Sequence, residues 1–474
     1  MKNELIKQFN ISETLINRFH VYGIIALVSV FLGFLIAVDY HIFILLVLIG
    51  LAAVFLFYFD SKYSYVIFFI TLIWMPTWVN SYSLFGIRFG IITVNYPLVF
   101  LFIFFIRDIV DIYTKKSAPE INYIDGLIVM LFLWTLFSLS KSVSPEGKRS
   151  FYLFGFPLLY FLFARYCPLG RKDFLGWMKI IIFFSLPMAL YLVFEMITEI
   201  NIFFPPQERY KYFSYMYKDS SGYQPGGSFL GPNEAGLFLS MAVAMSLYFY
   251  NTCAAKLKKW WIAAIVILSS GVAITLSRSA WLSLLSVYIM NVFFNEKNRI
   301  KSFYYIFTFF ICFAIGFQFF DLPRTASERL FDNDTIDARI EVFHDALNQI
   351  KDNWLCGIGY DNFRFRHFWM VKGPTHNVFT SLLVELGIIG LIPFAAVLAV
   401  IFRRWKLYSD ISGRDKNILT MFISIFVAYV VTGMAHSVNL AYHSSSLFWI
   451  FAAVYLSNRG ILIADRNNED TSDK

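Results

Sequence analysis

Three residues of the sequence have side chains suited to the displacement of a pyrophosphate leaving group by an alcohol: His376, Arg278 and Arg339. An imidazole can take a proton from a hydroxyl group. A guanidinium stays charged and can bind phosphate oxygens through two parallel hydrogen bonds. Such a set could deprotonate an attacking alcohol and hold a departing pyrophosphate. We therefore predict that these three residues form one catalytic site.

Arg278 lies at the junction of two apolar stretches that have almost no loop between them. A charged side chain at the centre of a membrane helix costs at least ~2.5 kcal/mol, and such residues usually line a cavity or bind a partner. The alternative is an interfacial arginine that extends to the lipid headgroups. We favour the functional interpretation.

Arg339 and His376 belong to the longest polar interval of the chain, residues 321–376. Apolar residues recur at helical spacing over 335–351, which predicts an amphipathic helix with Thr335 as its N-cap. A loop of this length without structure is unusual unless it is functional. Four other arginines of the interval compete with Arg339 as the partner of His376: Arg324, Arg329, Arg364 and Arg366.

An earlier polar interval, residues 199–234, ends in a turn rich in glycine and proline just before a predicted helix. Such a turn can hold an anion on free backbone N–H groups, or it can be a plain re-entrant turn. Asn233 is the predicted N-cap of the helix that follows. The candidate substrate-binding residues of the whole chain are Arg209, Lys211, Asn233, Asn377, Arg364 and Arg366.

The sequence contains no recognisable metal or nucleotide motif. Its four cysteines form no CxxC pair and have no histidine cluster beside them, which argues against a zinc site. The segment 332–334 resembles the start of a calcium loop but lacks the glycine and glutamate that complete one. No Gly-Lys-Ser/Thr follows the glycine-rich turn, so it is not a phosphate loop. We predict that the protein uses no metal and no cofactor.

Composition places these residues in a membrane protein. Hydrophobic residues make up 58% of the 474-residue chain and charged residues only 15%, against about 25% charged in soluble proteins. The net charge of +8 comes from short loops between apolar stretches, which argues against nucleic acid as a ligand. About 14 stretches have the length and hydropathy of membrane spans: roughly 22–38, 42–59, 64–79, 91–106, 124–140, 151–166, 176–198, 235–251, 260–276, 279–294, 303–320, 377–402, 417–435 and 443–458.

Loop charges predict the orientation of these spans. Lysine and arginine concentrate in alternate loops, which places both termini in the cytoplasm under the positive-inside rule. The intervals 199–234 and 321–376 and the junction at Arg278 then all lie on the outer face. The loop 141–150 is an exception, since it is basic yet predicted to lie outside.

The predicted organisation has four parts. Residues 1–20 form a cytoplasmic arm, and residues 21–234 form the N-terminal helices with the first outer loop. Residues 235–458 form a transmembrane core that includes the outer catalytic loop 321–376. Residues 459–474 form a cytoplasmic tail.

The residues around His376 and Arg278 resemble those of the O-antigen ligase and polymerase superfamily. His376-Asn377, nine residues, and then Gly387-Ile388-Ile389-Gly390 resemble the family's His-Asn-x9-Gly-x-x-Gly element. Arg278 with Leu282 resembles its Arg-x-x-x-Leu element. The resemblance covers about 200–450, and the segments 227–233 and 357–363 also look familial.

This resemblance implies an all-α, polytopic fold like that of the glycosyltransferase-C enzymes, with a helical periplasmic loop domain, in the bacterial inner membrane. It implies glycan transfer from undecaprenyl pyrophosphate to a hydroxyl of lipid A core or another glycan. His376 would then be the base, and Arg278 and Arg339 would bind pyrophosphate. A polymerase with the same chemistry is the alternative, and a transporter of lipid-linked sugars is a further one.

Overall fold

The computed structural model describes residues 61–74, 88–89, 92–93, 96–115, 121–143, 148, 150–167, 169–203, 224–229, 231–294, 333–363, 375–407, 414–437 and 441–457. Three predicted spans, 22–38, 42–59 and 303–320, lie outside these residues, as do the predicted N-terminal arm and C-terminal tail. Each of the other predicted spans overlaps a described helix. Two of them do so only in part, since residues 75–79 of the span 64–79 are not described and the span 91–106 includes a strand at Ile92–Thr93.

The described part of the chain is helical apart from one antiparallel pair of two-residue strands, β1 (Arg88–Phe89) and β2 (Ile92–Thr93). Short 3-10 helices cover Ser150–Leu153 and Ala255–Leu257. In chain order the α-helices are α1 (Ser61–Trp74), α2 (Tyr96–Lys115), α3 (Tyr123–Ser140), α4 (Gly155–Tyr166), α5 (Arg171–Thr198), α6 (Pro232–Thr252), α7 (Lys258–Ile274), α8 (Arg278–Phe294), α9 (Asn333–Asn353), α10 (Val378–Leu407), α11 (Arg414–Ala435) and α12 (Tyr442–Leu456).

Six of the described helices are long and apolar enough to cross a membrane: α3, α5, α6, α7 with the preceding 3-10 helix, α10 and α11. Helices α1 and α8 are apolar but shorter. The finding agrees with a polytopic membrane protein, and the count of about 14 spans stays a prediction.

Two helices form the centre of the bundle. Every residue of α12 is buried, and α6 is buried along nearly its whole length. Helices that are apolar all round pack in the interior of a large protein, as these two do. Helix α6 packs against α7, α8 and α11, and α12 packs against α4. The start of α6 is therefore surrounded by the ends of several other helices.

Two predicted N-caps are wrong. Helix α6 begins at Pro232 with Gly231 as its N-cap, so Asn233 lies inside the first turn. Proline is favoured at the first helical position because its missing N–H has no partner there in any helix. Helix α9 begins at Asn333, which places Thr335 within the helix. Asn233 can therefore use its side chain away from its own backbone.

Polar side chains form separate clusters at the two ends of the bundle. At one end Arg165 forms an ion pair with Asp125 at 2.5 Å, and both Arg165 and Arg404 donate hydrogen bonds to the Leu456 carbonyl. Both arginines belong to loops predicted to be cytoplasmic. At the other end, the starts of α6, α8, α10 and α12 meet the end of α11. The described parts of the predicted outer intervals thus converge at one end of the bundle.

Candidate active site

The junction between α7 and α8 is built around an asparagine of α6. Ser277 and Ser279 both donate hydrogen bonds to Oδ1 of Asn233, the second at 2.9 Å. Leu276, just before them, adopts a positive φ of 52°, which is uncommon for a residue with a side chain. This bend ends α7 and lets α8 begin directly at Arg278. The sequence motif at Arg278 is therefore a sharp helix–helix corner held by Asn233.

Arg278 and Arg339 lie close enough to influence each other although they belong to different helices. Burial and, to a smaller extent, the positive charge of Arg278 lower the pKa of Arg339. Within the described residues neither arginine has an ion-pair partner, and Nε of Arg339 is buried without a hydrogen-bond partner. Two neighbouring cations without a carboxylate between them form a site that favours an anion.

His376 precedes α10 in a strained backbone conformation. Its φ is +53°, and such outliers cluster at functional sites because the surrounding structure must hold them in place. The next residue, Asn377, accepts hydrogen bonds from the N–H groups of Phe379 and Thr380 and so caps α10. Its amide also donates to the Met434 carbonyl at 3.1 Å. The described contacts of Asn377 are thus those of a helix cap.

A second histidine lies beside His376. His436 follows α11, and the two ring centroids are 6.3 Å apart. Burial, the positive charge of Arg339 and the neighbouring His436 together lower the pKa of His376 to about 3. Burial and Arg339 lower the pKa of His436 to about 4, against an opposing effect of Glu234. Both rings are therefore neutral at pH 7 when the site holds no anion.

Helix α10 is broken at the glycine of the sequence motif. Gly387 has φ +68° and ψ −172°, which only glycine adopts readily. The break exposes backbone groups that pair with the segment after α9: N–H of Ile358 donates to the Val384 carbonyl at 2.9 Å, and N–H of Ile388 donates to the Trp354 carbonyl at 2.9 Å. The segment that carries α9, and with it Arg339, is therefore hydrogen-bonded to the helix that follows His376.

Side chains complete this attachment of α9. Val342 and Ala346 of α9 form a small buried cluster with Ile358, Phe363 and Val384. The opposite face of α9 remains apolar and exposed, with Ile340 and Phe343 both more than 40% exposed. The predicted helix is present, but its apolar residues at helical spacing, Ile340, Phe343 and Leu347, are exposed. Val342 and Ala346 form the buried face that fixes its rotation about its own axis.

The next residues join α9 to the N-terminal half of the protein. Asn362 donates to the Lys141 carbonyl at 2.9 Å and accepts from N–H of Val143 at 2.8 Å. Ser150 donates to the Asp361 carboxylate. Lys141, Val143 and Ser150 belong to the basic loop 141–150, the exception to the charge rule, and they therefore lie at the same end of the bundle as the candidate site.

The glycine-rich turn before α6 is not available to an outside anion. The Glu195 carboxylate accepts hydrogen bonds from N–H of Gly226 at 3.3 Å and of Gly227 at 2.8 Å. Asn201 donates to the same carboxylate at 2.8 Å. The turn does bind an anion, as its backbone geometry allows, but the anion is a side chain of the protein.

The structure brings together three predicted catalytic residues and one predicted substrate-binding residue. Arg278, Arg339 and His376 converge with Asn233 at one end of the bundle, and the roles assigned to them stay predictions. Asn377 lies beside them as a helix cap. Four predicted substrate-binding residues lie outside the described residues: Arg209, Lys211, Arg364 and Arg366.

His436 is a residue of this site that sequence analysis does not identify. The charge rule places its loop on the outer face because the loop lacks lysine and arginine, and it says nothing about the histidine. A signal is present, since Ala435-His436-Ser437 places a histidine between small residues at a helix end that is predicted to face outward. The sequence alone does not connect His436 with His376; the packing of the end of α11 beside the start of α10 does.

No metal cluster competes with this site in the described part of the chain. No group of three or more His, Cys, Asp or Glu side chains there has the arrangement of a metal site. An open apolar depression of about 420 Å³ lies on α3, lined by Gly126, Val129, Met130, Leu133 and Trp134. It carries no catalytic group, and metal independence stays a prediction.

Comparison with known proteins agrees with the sequence motifs. The family model described as O-antigen ligase matches residues 263–395. This segment is less than a third of the chain, and it contains Arg278, Arg339 and His376 but not Asn233 or His436. No curated protein matches the chain.

Proposed function

The segment 263–395 places this chain in the O-antigen ligase superfamily, and from that premise we propose that it is a membrane glycosyltransferase. It transfers a glycan from undecaprenyl pyrophosphate to a hydroxyl of lipid A core or another glycan. His376 is the general base, and Arg278 and Arg339 bind the pyrophosphate. The reaction takes place on the outer face of the bacterial inner membrane, with both termini in the cytoplasm.

The pair of arginines is the observation that carries this proposal. Arg278 and Arg339 repel each other and lack an ion-pair partner among the described residues. Their proximity costs free energy in the empty protein unless an anion with several negative charges joins them. A pyrophosphate has enough charge and enough oxygens to bind both guanidinium groups at once.

The bond changes follow from this arrangement. The acceptor hydroxyl attacks the anomeric carbon of the donor sugar, and the bond between that carbon and the phosphate oxygen breaks. The proton of the hydroxyl passes to His376, whose Nδ1 is buried and has no hydrogen-bond partner among the described residues. The pyrophosphate leaves as an anion held by the arginines, and His376 later returns its proton to solvent.

Donor binding makes His376 a stronger base. In the empty site burial and the arginine charge lower its pKa to about 3, and so weak a base removes a hydroxyl proton poorly. Bound pyrophosphate offsets the arginine charge and adds negative charge close to the ring. An opposite charge within ~4–6 Å changes a pKa by about 1–3 units, here upward. Proton removal therefore becomes efficient only after the donor has bound.

An outward-facing site fits this donor. Nucleotide sugars are cytosolic, so a transferase on the outer face needs a sugar that is already activated and carried by a lipid. The lipid chain of undecaprenyl pyrophosphate can remain in the bilayer beside the helices while its headgroup reaches the arginines. The predicted orientation and the proposed donor thus support each other.

Transfer in detergent tests this function. Purified protein is mixed with a glycan on undecaprenyl pyrophosphate and an acceptor glycolipid, in micelles where transport across a membrane is impossible. We expect glycan on the acceptor and free undecaprenyl pyrophosphate. Long chains that remain on undecaprenyl pyrophosphate would identify a polymerase. An absence of any transfer, with transport observed in vesicles, would contradict the transferase proposal.

Pyrophosphate binding tests the arginines. We expect Arg339→Gln to weaken binding of inorganic pyrophosphate by about 10- to 100-fold, the effect of losing hydrogen bonds to a charged group. Arg339→Lys should fall in between, because lysine keeps the charge but cannot form the paired hydrogen bonds. Isothermal titration calorimetry in detergent measures the affinity. Lys351→Gln, which removes an exposed cation from the same helix, is the control and should bind like wild type.

A further inference from the structure

A second imidazole lies in the candidate site, outside the matched segment and the sequence motif. His436 is held at the end of α11 by Ser437, whose hydroxyl lies 3.4 Å from that of Thr375. No hydrogen bond joins the rings of His436 and His376, whose centroids are 6.3 Å apart. One molecule entering the site can therefore contact both rings.

The surroundings of Asn233 determine which nitrogen of His436 carries the proton. Oδ1 of Asn233 is occupied by the hydroxyls of Ser277 and Ser279, so its NH₂ group faces the histidine. Nδ2 of Asn233 lies 3.3 Å from Nδ1 of His436. With the amide in this orientation, Nδ1 accepts and the proton of the neutral ring is on Nε2. His436 is then a hydrogen-bond donor at Nε2.

Asn233 is itself firmly placed. The carboxylate of the next residue, Glu234, accepts hydrogen bonds from the backbone N–H of His443 at 2.6 Å and from its Nδ1 at 3.0 Å. Ser444 donates to the Glu234 carbonyl at 2.9 Å. The side chains of Glu234 and His443 are almost completely buried. The first turn of α6 is thus attached to α12, and it holds His436 through Asn233.

On this geometry we propose that His436 contacts the substrate and donates its Nε2–H to a pyrophosphate oxygen of the donor, while His376 takes the proton of the acceptor. The inference rests on the proposed function and assigns a further substrate-binding residue to the same site. Nε2 has no hydrogen-bond partner among the described residues. A neutral N–H donor suits an anionic oxygen because it forms a hydrogen bond without transferring a proton.

The electrostatic surroundings of His436 support this division of roles. In the empty site, burial and Arg339 keep its ring neutral at pH 7, and the same Arg339 influences His376. Arg339 therefore lies close to both rings. His436 has its Nε2 protonated, whereas His376 has a buried Nδ1 without a partner among the described residues.

Two substitutions separate substrate contact from support of the fold. His436→Asn retains an acceptor near the Nδ1 position for Asn233 but has no N–H at the Nε2 position. His436→Gln restores an N–H donor near the Nε2 position. We expect His436→Asn to weaken pyrophosphate binding and lower kcat by about 10- to 100-fold. Its acceptor KM and thermal unfolding temperature should stay unchanged, and His436→Gln should recover most of the loss.

Inorganic pyrophosphate titration, acceptor kinetics and thermal unfolding in detergent provide these readouts. The proposal is overturned if His436→Asn binds pyrophosphate like wild type, if both variants lose binding equally, or if the loss follows a lower unfolding temperature. Pyrophosphate binding also separates this inference from the proposed function. If wild type transfers no glycan yet binds pyrophosphate through His436, the contact stands and the transferase proposal fails.

Discussion

Glycan transfer by the His376→Ala variant is expected to fall about 10²- to 10⁴-fold, the range for loss of a general base. The protein should still insert and fold, because the buried Nδ1 of His376 has no hydrogen-bond partner among the described residues. Alanine also removes the buried imidazole whose pKa is lowered. Undecaprenyl-linked glycan should accumulate in cells that carry the variant, and radiolabelled transfer in detergent measures the rate.

Acid stability gives a second readout for His376. Its folded pKa of about 3 is below the ordinary value of 6.5, so between these two pH values the unfolded chain binds more protons than the folded one. Wild-type stability should therefore fall as the pH drops below about 6.5, and His376→Ala should lose less stability over the same window. His344→Ala changes an exposed histidine of α9 and is the matched control.

Normal glycan transfer by His376→Ala would exclude the role of His376 as the general base.

Substitution of Gly387 by alanine should both destabilise the protein and slow transfer. A Cβ at Gly387 would lie 2.3 Å from the Leu355 carbonyl oxygen, and the backbone there adopts φ +68° with ψ −172°. We expect a loss of about 2–5 kcal/mol from the strained backbone and the clash together. The segment that carries α9 would have to move, and a displacement of ~1 Å at a catalytic group can reduce a rate about 10²-fold.

Gly357 provides a test of the same contact from the other side. Its Cβ would lie 2.3 Å from the Glu385 carbonyl oxygen, so Gly357→Ala should resemble Gly387→Ala. Gly176→Ala is the control, because a Cβ added to that glycine of α5 would meet nothing within 4 Å, and alanine favours a helix by up to ~1 kcal/mol. Thermal unfolding and transfer by the folded fraction are measured together. Full activity of Gly387→Ala would show that the helix break does not position Arg339.

The helices are predictable from local sequence wherever they are apolar membrane spans or have apolar residues at helical spacing. Apolar stretches such as 124–140 and 235–251 coincide with α3 and α6 within a few residues. The amphipathic pattern around Arg339 correctly indicates α9. The errors lie at the helix ends, where Pro232 and Asn333 begin helices earlier than Asn233 and Thr335 suggest. The residue that caps a helix depends on a few local contacts. The length and hydropathy of an apolar stretch carry no information about those contacts.

The role of the motif glycines is not predictable from spacing. The interval between His376 and Gly387 identifies a family, but it does not reveal that α10 breaks at Gly387 to pair with residues 354–359. The same holds for Asn362, which joins that segment to the loop 141–150. These contacts connect parts of the chain that are far apart in sequence, so a local pattern cannot specify them.

The sequence by itself determined the class of protein, a helical membrane chain, and it predicted a chemistry and candidate residues, a histidine and arginines suited to displacement of pyrophosphate. Those conclusions depend on composition and residue type, which folding does not change. Tertiary structure decided which polar groups meet. In the folded protein the Glu195 carboxylate binds the N–H groups of the glycine-rich turn, Asn377 caps α10, and His436 lies beside His376. Hydrogen-bond partners and neighbouring charges depend on helix packing, and only packing brings α6, α8, α10 and α11 to one end.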